Sequence, residues 1–458
     1  MKKFSRFTHV FRKNDVIALY YAINHEVIYL TRQSFRLVCQ FLETPDTIFG
    51  ANRGNVQEVI QRLTIANFLV DSEDSEEEKV KKLKKDFYQP GIYILYLLLT
   101  DSCNLGCTYC FIEKPFVQNT RPTLMSFSTV QKALDLYIRC LRRIDPEVSK
   151  TKMINFYGGE PLINKGIFLQ TLQYIENLKK QGKLPKDIRL SLNTNGTLVD
   201  KEIVLALKKH NVEVAVSIDG PRQYHDSYRK YRQSKKGSFI ETVRAFRLLK
   251  KFNVNVGVSC TIPEQNVNAL PFIFKWFVEE LGVEAIGFNP MLESRTFQVL
   301  DPLYPQKVAE AMIECYKIAR EIGVYEDRMI RKVKAFVGQY FYDRDCSAIG
   351  RQIVIGPNEE IGICPAFYSS GKYFVRPKEG LENFDPYNHP YWQEWGKRLT
   401  LNFSKCLKCP ALAICGGGCP YNSWIRHGSI WKIDDFFCPH SLKTLEWLVW
   451  DLYDLSRL

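Results

Sequence analysis

The chain has 458 residues, 45% of them hydrophobic and 25% charged, which is the composition of a globular protein with two to four domains. Its N-terminus lacks the apolar stretch that a secretory signal needs, and its most apolar run, Ile92 to Leu99, is too short to cross a bilayer. We therefore expect a cytoplasmic protein without a membrane partner. The net charge of +13 suits nucleic acid, a membrane surface or an acidic peptide and does not choose among them.

The first 80 residues are predicted to form a small unit of short strands followed by short helices. Strands are expected at 16–23 and 26–30, then a helix capped by Thr31 and a second helix over 56–68. This order resembles a winged-helix unit. Residues 1–70 contain nine Lys or Arg and five Asp or Glu, a net charge of +4. The highly charged stretch 71–86 is interpreted as a solvated linker or an exposed helix.

From residue 92 strands and helices alternate. This alternation predicts an α/β fold with a parallel sheet, open or curled into a partial barrel. In such a sheet the chemistry lies at the carboxyl ends of the strands, where the motifs described below fall. The strands are predicted at 92–99, 152–157, 188–195, 213–219, 254–262 and 284–290, and the helices at 129–143, 166–181, 201–210, 239–252 and 271–281.

The region beyond residue 346 loses this periodicity. Glycine, proline, aromatic residues and seven cysteines dominate as far as Cys438. Such a composition favours a loop-rich region organised by metal rather than by a large core. A final amphipathic helix is predicted over 441–455.

Fourteen cysteines in a cytoplasmic chain point to metal binding or redox chemistry, because that compartment keeps disulfides reduced. Cys103, Cys107 and Cys110 form a C-x3-C-x2-C loop directly after the first strand of the alternating region. Three thiolates can hold three irons of a cubane and leave the fourth iron without a protein ligand. A zinc site would need a fourth ligand, and no histidine lies close in sequence.

This loop, with Tyr109 before its last cysteine, resembles the radical S-adenosylmethionine (SAM) superfamily. The resemblance implies that SAM chelates the open iron of a [4Fe–4S] cluster, and that one electron cleaves SAM to methionine and a 5′-deoxyadenosyl radical. That radical removes a hydrogen atom from the substrate. The implied fold is a partial (β/α)6 barrel with an N-terminal winged-helix-like domain and a C-terminal iron–sulfur SPASM domain.

Three further segments resemble the SAM site of this superfamily, at 158–161, at 193–196, which resembles the polar edge after the next strand, and at 217–229. The Gly-Gly-Glu-Pro turn at 158–161 resembles the turn that binds the SAM amino group, since glycines allow close approach of the backbone and a glutamate attracts an ammonium. The segment 217–229 resembles the one in which a serine meets the ribose and an arginine the carboxylate. The SAM contacts that the resemblance implies are Tyr157, Gly158, Gly159, Glu160, Asn195, Ser217 and Arg229.

The later cysteines resemble the SPASM extension, which carries two auxiliary [4Fe–4S] clusters, so three clusters are expected in all. By that pattern, auxiliary site I takes Cys346, Cys364 and Cys419. Auxiliary site II takes Cys406, Cys409, Cys415 and Cys438. The structural alternative is a zinc ribbon that uses Cys406, Cys409, Cys415 and Cys419.

Auxiliary site I is one cysteine short, because residues 336–345 contain no thiol where related enzymes have a fourth ligand. An open iron there would bind a substrate thiolate and suit thioether formation; Asp343 or Asp345 are the alternative ligands. Glu359 is another departure, since many members have glycine at that turn. The remaining cysteines are interpreted as core residues, with Cys315 as the one possible distant ligand: Cys39, Cys140, Cys260 and Cys315.

The resulting hypothesis is a peptide maturase that crosslinks a leader-bearing ribosomal precursor peptide, by a thioether first and a carbon–carbon bond second. The leader would add as a strand to the N-terminal unit, and a flavodoxin or ferredoxin would donate electrons. No catalytic acid or base is assigned. The predicted domains are a recognition element at 1–80, the partial barrel at 81–300, a bridging region at 301–345, and the SPASM domain with the C-terminal helix at 346–458.

Two alternatives stay open. One is a formylglycine-forming enzyme like the anaerobic sulfatase maturases, against which the long segment before the cysteine loop and Pro365 after Cys364 both argue. The other is an iron–sulfur regulator that binds nucleic acid, which the net charge permits. Nucleic acid is not the expected partner, because the 158–161 and 217–229 segments would then have no role.

Overall fold

The computed structural model describes residues 2–44, 51–72, 74–88, 91–112, 123–144, 151–294 and 298–457. Its N-terminal unit contains an antiparallel sheet in the order β2-β3-β4, and β1 pairs with β5. Thr31 caps α1 by accepting a hydrogen bond from Ser34 N at 3.1 Å, as predicted. The elements are β1 (Lys3–Phe4), β2 (Thr8–Lys13), β3 (Val16–Tyr21), β4 (Glu26–Thr31), α1 (Arg32–Glu43), α2 (Ala51–Ile65), β5 (Leu69–Val70) and α3 (Asp74–Phe87).

The charged stretch 71–86 belongs to this unit. Most of it lies in α3, whose Glu76 is buried and accepts hydrogen bonds from Ser5 Oγ at 2.5 Å and from Arg6 N at 3.1 Å. Val80 of the same helix is buried as well. The helix interpretation is therefore confirmed and the linker interpretation is wrong, because two side chains one helical turn apart pack against the unit.

The centre of the molecule is a ten-stranded sheet in the order β12-β11-β10-β9-β8-β7-β6-β13-β14-β15. Strands β6 to β11 pair in parallel, which confirms the predicted α/β fold with a parallel sheet. The alternating elements are β6 (Ile94–Leu98), α4 (Phe127–Leu141), β7 (Met153–Tyr157), α5 (Lys165–Lys180), β8 (Arg189–Thr194), α6 (Lys201–Lys209), β9 (Val212–Ser217), α7 (Arg222–Tyr228), α8 (Phe239–Lys251), β10 (Val256–Ile262), α9 (Leu270–Leu281) and β11 (Ala285–Pro290).

The C-terminal part adds strands to this sheet. β13 pairs in parallel with β6, and β14 and β15 continue in antiparallel. The sequence pattern did not predict this, because these strands are only two to four residues long. The elements are α10 (Tyr304–Ile322), β12 (Tyr325–Glu326), α11 (Asp327–Val337), β13 (Gln352–Ile355), β14 (Ile361–Gly362), β15 (Phe374–Val375), α12 (Pro390–Gly396), α13 (Leu412–Cys415), α14 (Pro420–His427) and α15 (Phe437–Leu455).

Two hydrophobic cores hold these layers together. The larger core fills the space between the sheet and its helices. The second core is shared, because residues of the N-terminal sheet pack with Phe336, Leu412 and Leu445 from α11, α13 and α15. Among the described residues, no helix combines the length and the apolar character that crossing a membrane requires.

Candidate active site and auxiliary cysteine sites

The first cysteine loop follows β6 and folds its three thiols toward one another. Leu105 N donates to Cys103 Sγ at 3.4 Å, and Cys110 N donates to Cys107 O at 3.2 Å. Burial first, with the neighbouring Cys110 among the further causes, raises the pKa of Cys103 to about 12 and that of Cys107 to about 11. Three thiols held together without a cation resist ionisation, whereas a bound metal cluster favours their thiolate form.

The segment after α7 holds this loop from the outside. Gly106 N donates to Lys230 O at 2.8 Å, and Arg232 N donates to Asn104 O at 3.0 Å. Burial lowers the pKa of Arg232, and all three thiols of the loop raise it. Arg232 therefore places a positive charge beside the thiols, as an anionic cluster requires, and no motif in the sequence pointed to it.

The two glycines of the Gly-Gly-Glu turn are required by the cysteine loop itself. A Cβ on Gly159 would lie 2.2 Å from Ser102 O, and one on Gly158, whose φ is +135°, would lie 2.4 Å from Thr100 O. Gly159 N donates to Thr100 O at 3.1 Å. The turn thus lies in direct contact with the backbone that leads into Cys103. Its glycines position the loop through this backbone contact.

Glu160, the third residue of this turn, is completely buried. Its carboxylate accepts hydrogen bonds from Leu162 N at 3.1 Å, Thr194 Oγ1 at 2.7 Å and Asn195 N at 2.7 Å. Burial raises the pKa of Glu160 to about 7, and these hydrogen bonds lower it. Glu160 therefore joins the ends of β7 and β8, with Oε1 accepting two of these hydrogen bonds and Oε2 accepting one.

Asn195 supports the cysteine loop from the end of β8. Its Nδ2 donates to Asn104 Oδ1 at 2.9 Å and reaches Cys103 Sγ at 3.7 Å. Its Oδ1 accepts from Thr197 N at 2.9 Å. The structure thus brings Asn195 to the cysteines as well as to the predicted SAM site.

Arg229 is held in a buried ion pair at the end of β9. Its Nε and Nη2 donate to Asp219 at 2.8 and 3.2 Å, and the Tyr109 hydroxyl donates to the same carboxylate. Asp219 also accepts from Thr261 N at 3.0 Å. Asp219 accepts hydrogen bonds from two of the three guanidinium nitrogens of Arg229, so the third nitrogen, Nη1, takes no part in this ion pair. Ser217 is the last residue of β9, close in sequence to Asp219.

Tyr157 lies between the first cysteine loop and auxiliary site I. Burial raises its pKa, and the thiols of Cys110 and Cys364 raise it further. The ring of Tyr96 packs edge-on against it with centroids 5.8 Å apart, and Cys346 is among the groups that raise the pKa of Tyr96 after burial. Tyr157 is therefore near thiols of both sites, and Tyr96 is near thiols of auxiliary site I.

The structure brings the three predicted thiols of auxiliary site I together. Burial raises the pKa of Cys364, and Cys346 and Cys419 raise it further. Burial and then Cys346 raise the pKa of Cys419 to about 12. Cys419 N donates to Asp434 Oδ2 at 2.8 Å, which fixes the start of α14 beside this site.

The four predicted thiols of auxiliary site II form a second group. Burial raises the pKa of Cys438, as do Cys415, Cys406 and Cys409 among its neighbours. A small cavity is lined by Cys406, Cys415 and Cys438 together with glycines 417 and 418. Because the structure places Cys419 with auxiliary site I, the four cysteines of the zinc-ribbon alternative are divided between two sites.

Both carboxylates proposed as a fourth ligand of auxiliary site I form ion pairs with arginines. Asp343 forms ion pairs with Arg344 and Arg351. Asp345 forms an ion pair with Arg328 at 3.5 Å, and its pKa is lowered to about 2 because Lys332 and two arginines outweigh its burial.

Two other sequence observations have a structural outcome. Glu359 adopts φ of +64°, the left-handed region that glycine occupies without cost, and its carboxylate binds Lys132 Nζ at 2.9 Å. Cys315 is buried near Glu326 and Cys260 rather than beside the cysteine sites. Cys140 and Cys260 are buried too, whereas Cys39 is partly exposed.

The three cysteine groups fit [4Fe–4S] clusters in donor type and mutual proximity. In the part of the chain that the structure describes, no three His, Cys, Asp or Glu side chains converge as the ligands of a single metal ion would. The thiolates of a cubane bind different irons and do not converge on one point. Arg232 and Tyr96 belong to these surroundings and carry no sequence signal of their own.

Sequence relatives cover most of this chain. The radical SAM cyclopropyl synthase TigE of Paramaledivibacter caminithermalis is 24% identical, over 76% of this chain and 72% of its own. The serine-type anaerobic sulfatase-maturating enzyme of Bacteroides thetaiotaomicron is 26% identical, over 75% and 87%. The subtilosin biosynthesis protein AlbA of Bacillus subtilis is 28% identical, over 70% and 65%. Residues 97–277 match the sequence profile of the Radical SAM superfamily. The protein is a radical SAM enzyme.

Solved structures share the fold of this radical SAM enzyme. The sulfatase maturase anSMEcpe with bound AdoMet superposes with a TM-score of 0.66 at 20% identity, covering 80% of this chain and 96% of its own. Streptococcus suis SuiB, bound to precursor peptide SuiA, superposes with a TM-score of 0.53 at 16% identity, covering 96% and 100%. The radical SAM enzyme is thus related to maturases of ribosomal peptides and to anaerobic sulfatase maturases. The superfamily uses SAM and a [4Fe–4S] cluster, as the first cysteine loop implied.

Proposed function

We propose that this radical SAM enzyme is a peptide maturase that installs a crosslink in a leader-bearing ribosomal precursor peptide. The observation that carries the proposal is the joint presence of an N-terminal sheet unit and three cysteine groups in one chain. The peptide-bound SuiB structure covers 96% of this chain, whereas the sulfatase maturase covers 80%. The peptide maturase architecture therefore also accounts for a segment as long as the N-terminal unit.

The first site would hold a [4Fe–4S] cluster on Cys103, Cys107 and Cys110, with SAM on its open iron. Bound together, cluster and SAM supply a 5′-deoxyadenosyl radical that removes a hydrogen atom from the substrate. The chain's own groups position these ligands. Gly158 and Gly159 hold the loop, and Oε2 of Glu160 has an acceptor position for an ammonium. The proposed SAM contacts also include Tyr157, Asn195, Ser217 and Arg229.

The leader would bind at an outer strand of the N-terminal sheet. β2 and β4 each pair on one side only with β3 among the described residues, so an added strand can bond to the other side. Arg12 and Lys13 at the end of β2 are exposed, although Lys13 forms an ion pair with Asp454 at 3.0 Å, and the whole unit with α3 carries a net charge of only +2 over residues 1–87. An acidic side chain of the leader would therefore be matched locally, by the exposed Arg12, rather than by the net charge of the unit. Residues 1–80 are therefore proposed as the recognition element, ahead of a barrel at 81–300.

A thioether is the proposed product. Auxiliary site I offers Cys346, Cys364 and Cys419, and its two candidate carboxylate ligands are held by arginines. A substrate cysteine would complete this site and be held close to the carbon that loses its hydrogen atom. Auxiliary site II, with Cys406, Cys409, Cys415 and Cys438, would hold the third cluster. A flavodoxin or ferredoxin is the proposed electron donor.

The test uses the protein reconstituted anaerobically with iron and sulfide, and the precursor peptide encoded next to its gene. Three clusters predict about twelve irons, and about eight when Cys103, Cys107 and Cys110 are all changed to Ala. With SAM and dithionite, we expect 5′-deoxyadenosine and a peptide that has lost two hydrogen atoms. A thioether product resists alkylation at the crosslinked cysteine, whereas a carbon–carbon product is alkylated.

Formylglycine formation is the second candidate, because the B. thetaiotaomicron relative is a serine-type sulfatase-maturating enzyme. A peptide carrying a sulfatase modification motif separates the two activities. An aldehyde on that peptide, with no change in the precursor, would replace the crosslinking proposal. Deoxyadenosine without modification of either peptide would reject both substrates.

A further inference from the structure

A buried arginine, Arg398, lies between the two auxiliary sites. The side chain is completely buried. Its guanidinium donates to Ile430 O at 2.5 Å, Gly417 O at 2.7 Å, Ser423 Oγ at 2.9 Å and Lys432 O at 3.4 Å. All four acceptors are neutral. None of these hydrogen bonds therefore cancels the positive charge.

Thiols of both auxiliary sites lie near this guanidinium. Burial lowers the pKa of Arg398, whereas Asp434 and the thiols of Cys419, Cys415 and Cys346 raise it. Cys415 belongs to auxiliary site II, and the other two cysteines belong to auxiliary site I. The guanidinium is connected to auxiliary site I through Ser423, whose hydroxyl accepts from Arg398 Nη2 at 2.9 Å and donates to Cys419 O at 3.1 Å.

Arg398 also lines the small cavity of auxiliary site II. Cys406, Cys415 and Cys438 line the same cavity, and a Cβ on Gly417 would lie 3.6 Å from Arg398 Nη1. The guanidinium is thus part of the wall around the space where the thiols meet. It is not separated from that space by another side chain layer.

The nearest carboxylate compensates this charge only in part. Asp434 accepts hydrogen bonds from Cys419 N at 2.8 Å, Asn422 Nδ2 at 2.7 Å and two backbone N–H groups at the start of α15. A buried cation is costly unless an anion lies close to it. Thiolates bound to iron would supply the missing negative charge from both sides.

We infer that Arg398 is a shared electrostatic residue of the two auxiliary clusters, which stabilises their thiolate-bound anionic form and raises the reduction potential of both. The inference rests on the auxiliary clusters of the proposed function. Its physical basis is that a nearby positive charge favours the more negative, reduced state of a cluster. Such a residue would let electrons released by the substrate enter the auxiliary sites more readily.

Two substitutions separate charge from hydrogen bonding. Arg398→Gln removes the charge and most of the donors. Arg398→Lys keeps the charge but loses the planar fork that serves four acceptors. If Arg398 only connects loops through its hydrogen bonds, both variants should have similar iron contents and midpoint potentials.

The experiment uses the full chain with Cys103→Ala, Cys107→Ala and Cys110→Ala, so that only auxiliary clusters contribute. Iron and sulfide are measured, and the clusters are titrated with a reductant while their electron paramagnetic resonance signals are followed. We expect Arg398→Gln to lower both midpoint potentials relative to the parent, and Arg398→Lys to keep them near the parent values. The matched control is Arg139→Gln. Arg139 also donates to two backbone carbonyls, at 3.3 Å each, but these carbonyls do not belong to any of the cysteine sites.

Each outcome decides the question. Loss of iron from the Gln variant with an intact Lys variant also supports the inference, because the two differ in charge. Unchanged potentials in the Gln variant at full iron content overturn it, and so does equal loss of iron from both variants. Zinc in place of iron in the parent would refute the auxiliary clusters themselves, whereas unshifted potentials refute only the role of Arg398.

Discussion

Asp219 joins three elements through its side chain and is completely buried. Arg229, Tyr109 and Thr261 N all donate to its carboxylate. Asp219→Asn would leave the guanidinium buried without its anion, so we expect a loss of about 3–5 kcal/mol in the free energy of unfolding. Formation of 5′-deoxyadenosine should fall with it, because Arg229 is also close enough to lower the pKa of Cys107. Anaerobic urea unfolding and the deoxyadenosine assay measure the two effects.

An exposed ion pair provides the control for this prediction. Lys317 and Glu314 lie 2.7 Å apart on the surface of α10. Glu314→Gln should change the free energy of unfolding by less than about 0.5 kcal/mol, since solvent screens such pairs. If Asp219→Asn costs no more than this control, the buried ion pair does not stabilise the site as argued.

Glu326 is a buried carboxyl group that should make stability depend on pH. It caps α11 by accepting from Arg328 N at 3.1 Å and Met329 N at 2.7 Å, and burial raises its pKa to about 7. The folded protein therefore holds this proton at a higher pH than the unfolded chain. Its contribution to stability is complete below the unfolded pKa, near 4.5, and is lost as pH rises through about 7.

Glu326→Gln tests this sign directly. The wild type should lose on the order of 1–3 kcal/mol more than the variant between pH 5 and pH 8, although the variant is less stable overall because an amide nitrogen cannot accept. Unfolding free energies at several pH values give the comparison. Parallel pH profiles for the two proteins would show that Glu326 is ionised in both states.

At the scale of single elements, the turn after β7 depends on backbone contact that only glycine permits. A Cβ on Gly159 would lie 2.2 Å from Ser102 O and 2.9 Å from Cys103 N. Gly159→Ala must therefore displace the cysteine loop, and we expect about four irons to be lost from the reconstituted protein together with deoxyadenosine formation. The auxiliary iron should remain.

Gly166 supplies a matched substitution in the first turn of the next helix, α5. A Cβ there meets no atom within 4 Å, and its backbone is helical. Gly166→Ala should be neutral or stabilise by about 0.5–1 kcal/mol, because it reduces the freedom of the unfolded chain. Loss of iron from this variant as well would mean that the assay reports general damage rather than the turn.

The positions of some helices and strands could be predicted from the sequence, whereas those of others could not. The alternating strands and helices from 92 to 290 are long and regular, and their predicted positions agree with the structure to within a few residues. β13 to β15 are too short for a periodic signal, and their position beside β6 is set by tertiary pairing. The cluster cysteines could be recognised from their spacing in the sequence. Arg398 and Arg232 could not, because their proximity to the thiols exists only in the folded chain.

At the scale of the whole molecule, packing crosses both of the boundaries predicted at residues 80 and 346. The sheet continues from β6 into β13, and the second core contains residues of the N-terminal unit and of the C-terminal region. The ring of Tyr20 stacks on that of Phe336 with centroids 6.3 Å apart, and His25 Nε2 lies 3.0 Å from Tyr340 O. The N-terminal unit thus packs as part of the main body of the molecule.

This shared core has a consequence for truncation. Removing residues 1–80 would expose Phe336, Leu412 and other apolar side chains beside auxiliary site II, at a cost of about 25 cal/mol for each Å² uncovered. Cys409 lies close enough to Tyr20 to raise its pKa further after burial, so the cut would also open that site to solvent. We expect the truncated protein to lose about four irons as well as its affinity for the leader.

An independent recognition domain predicts a different result. If residues 1–80 formed such a domain, the truncated protein would keep its full iron content and normal deoxyadenosine formation. It would lose only its binding of the precursor. Iron analysis, the deoxyadenosine assay and fluorescence anisotropy with a labelled leader peptide, all on one preparation, separate the two cases. Tyr20→Ala in the full chain provides the finer test: it keeps both outer strands of the sheet for the leader, so a selective loss of auxiliary iron at unchanged leader affinity would assign the effect to the shared core.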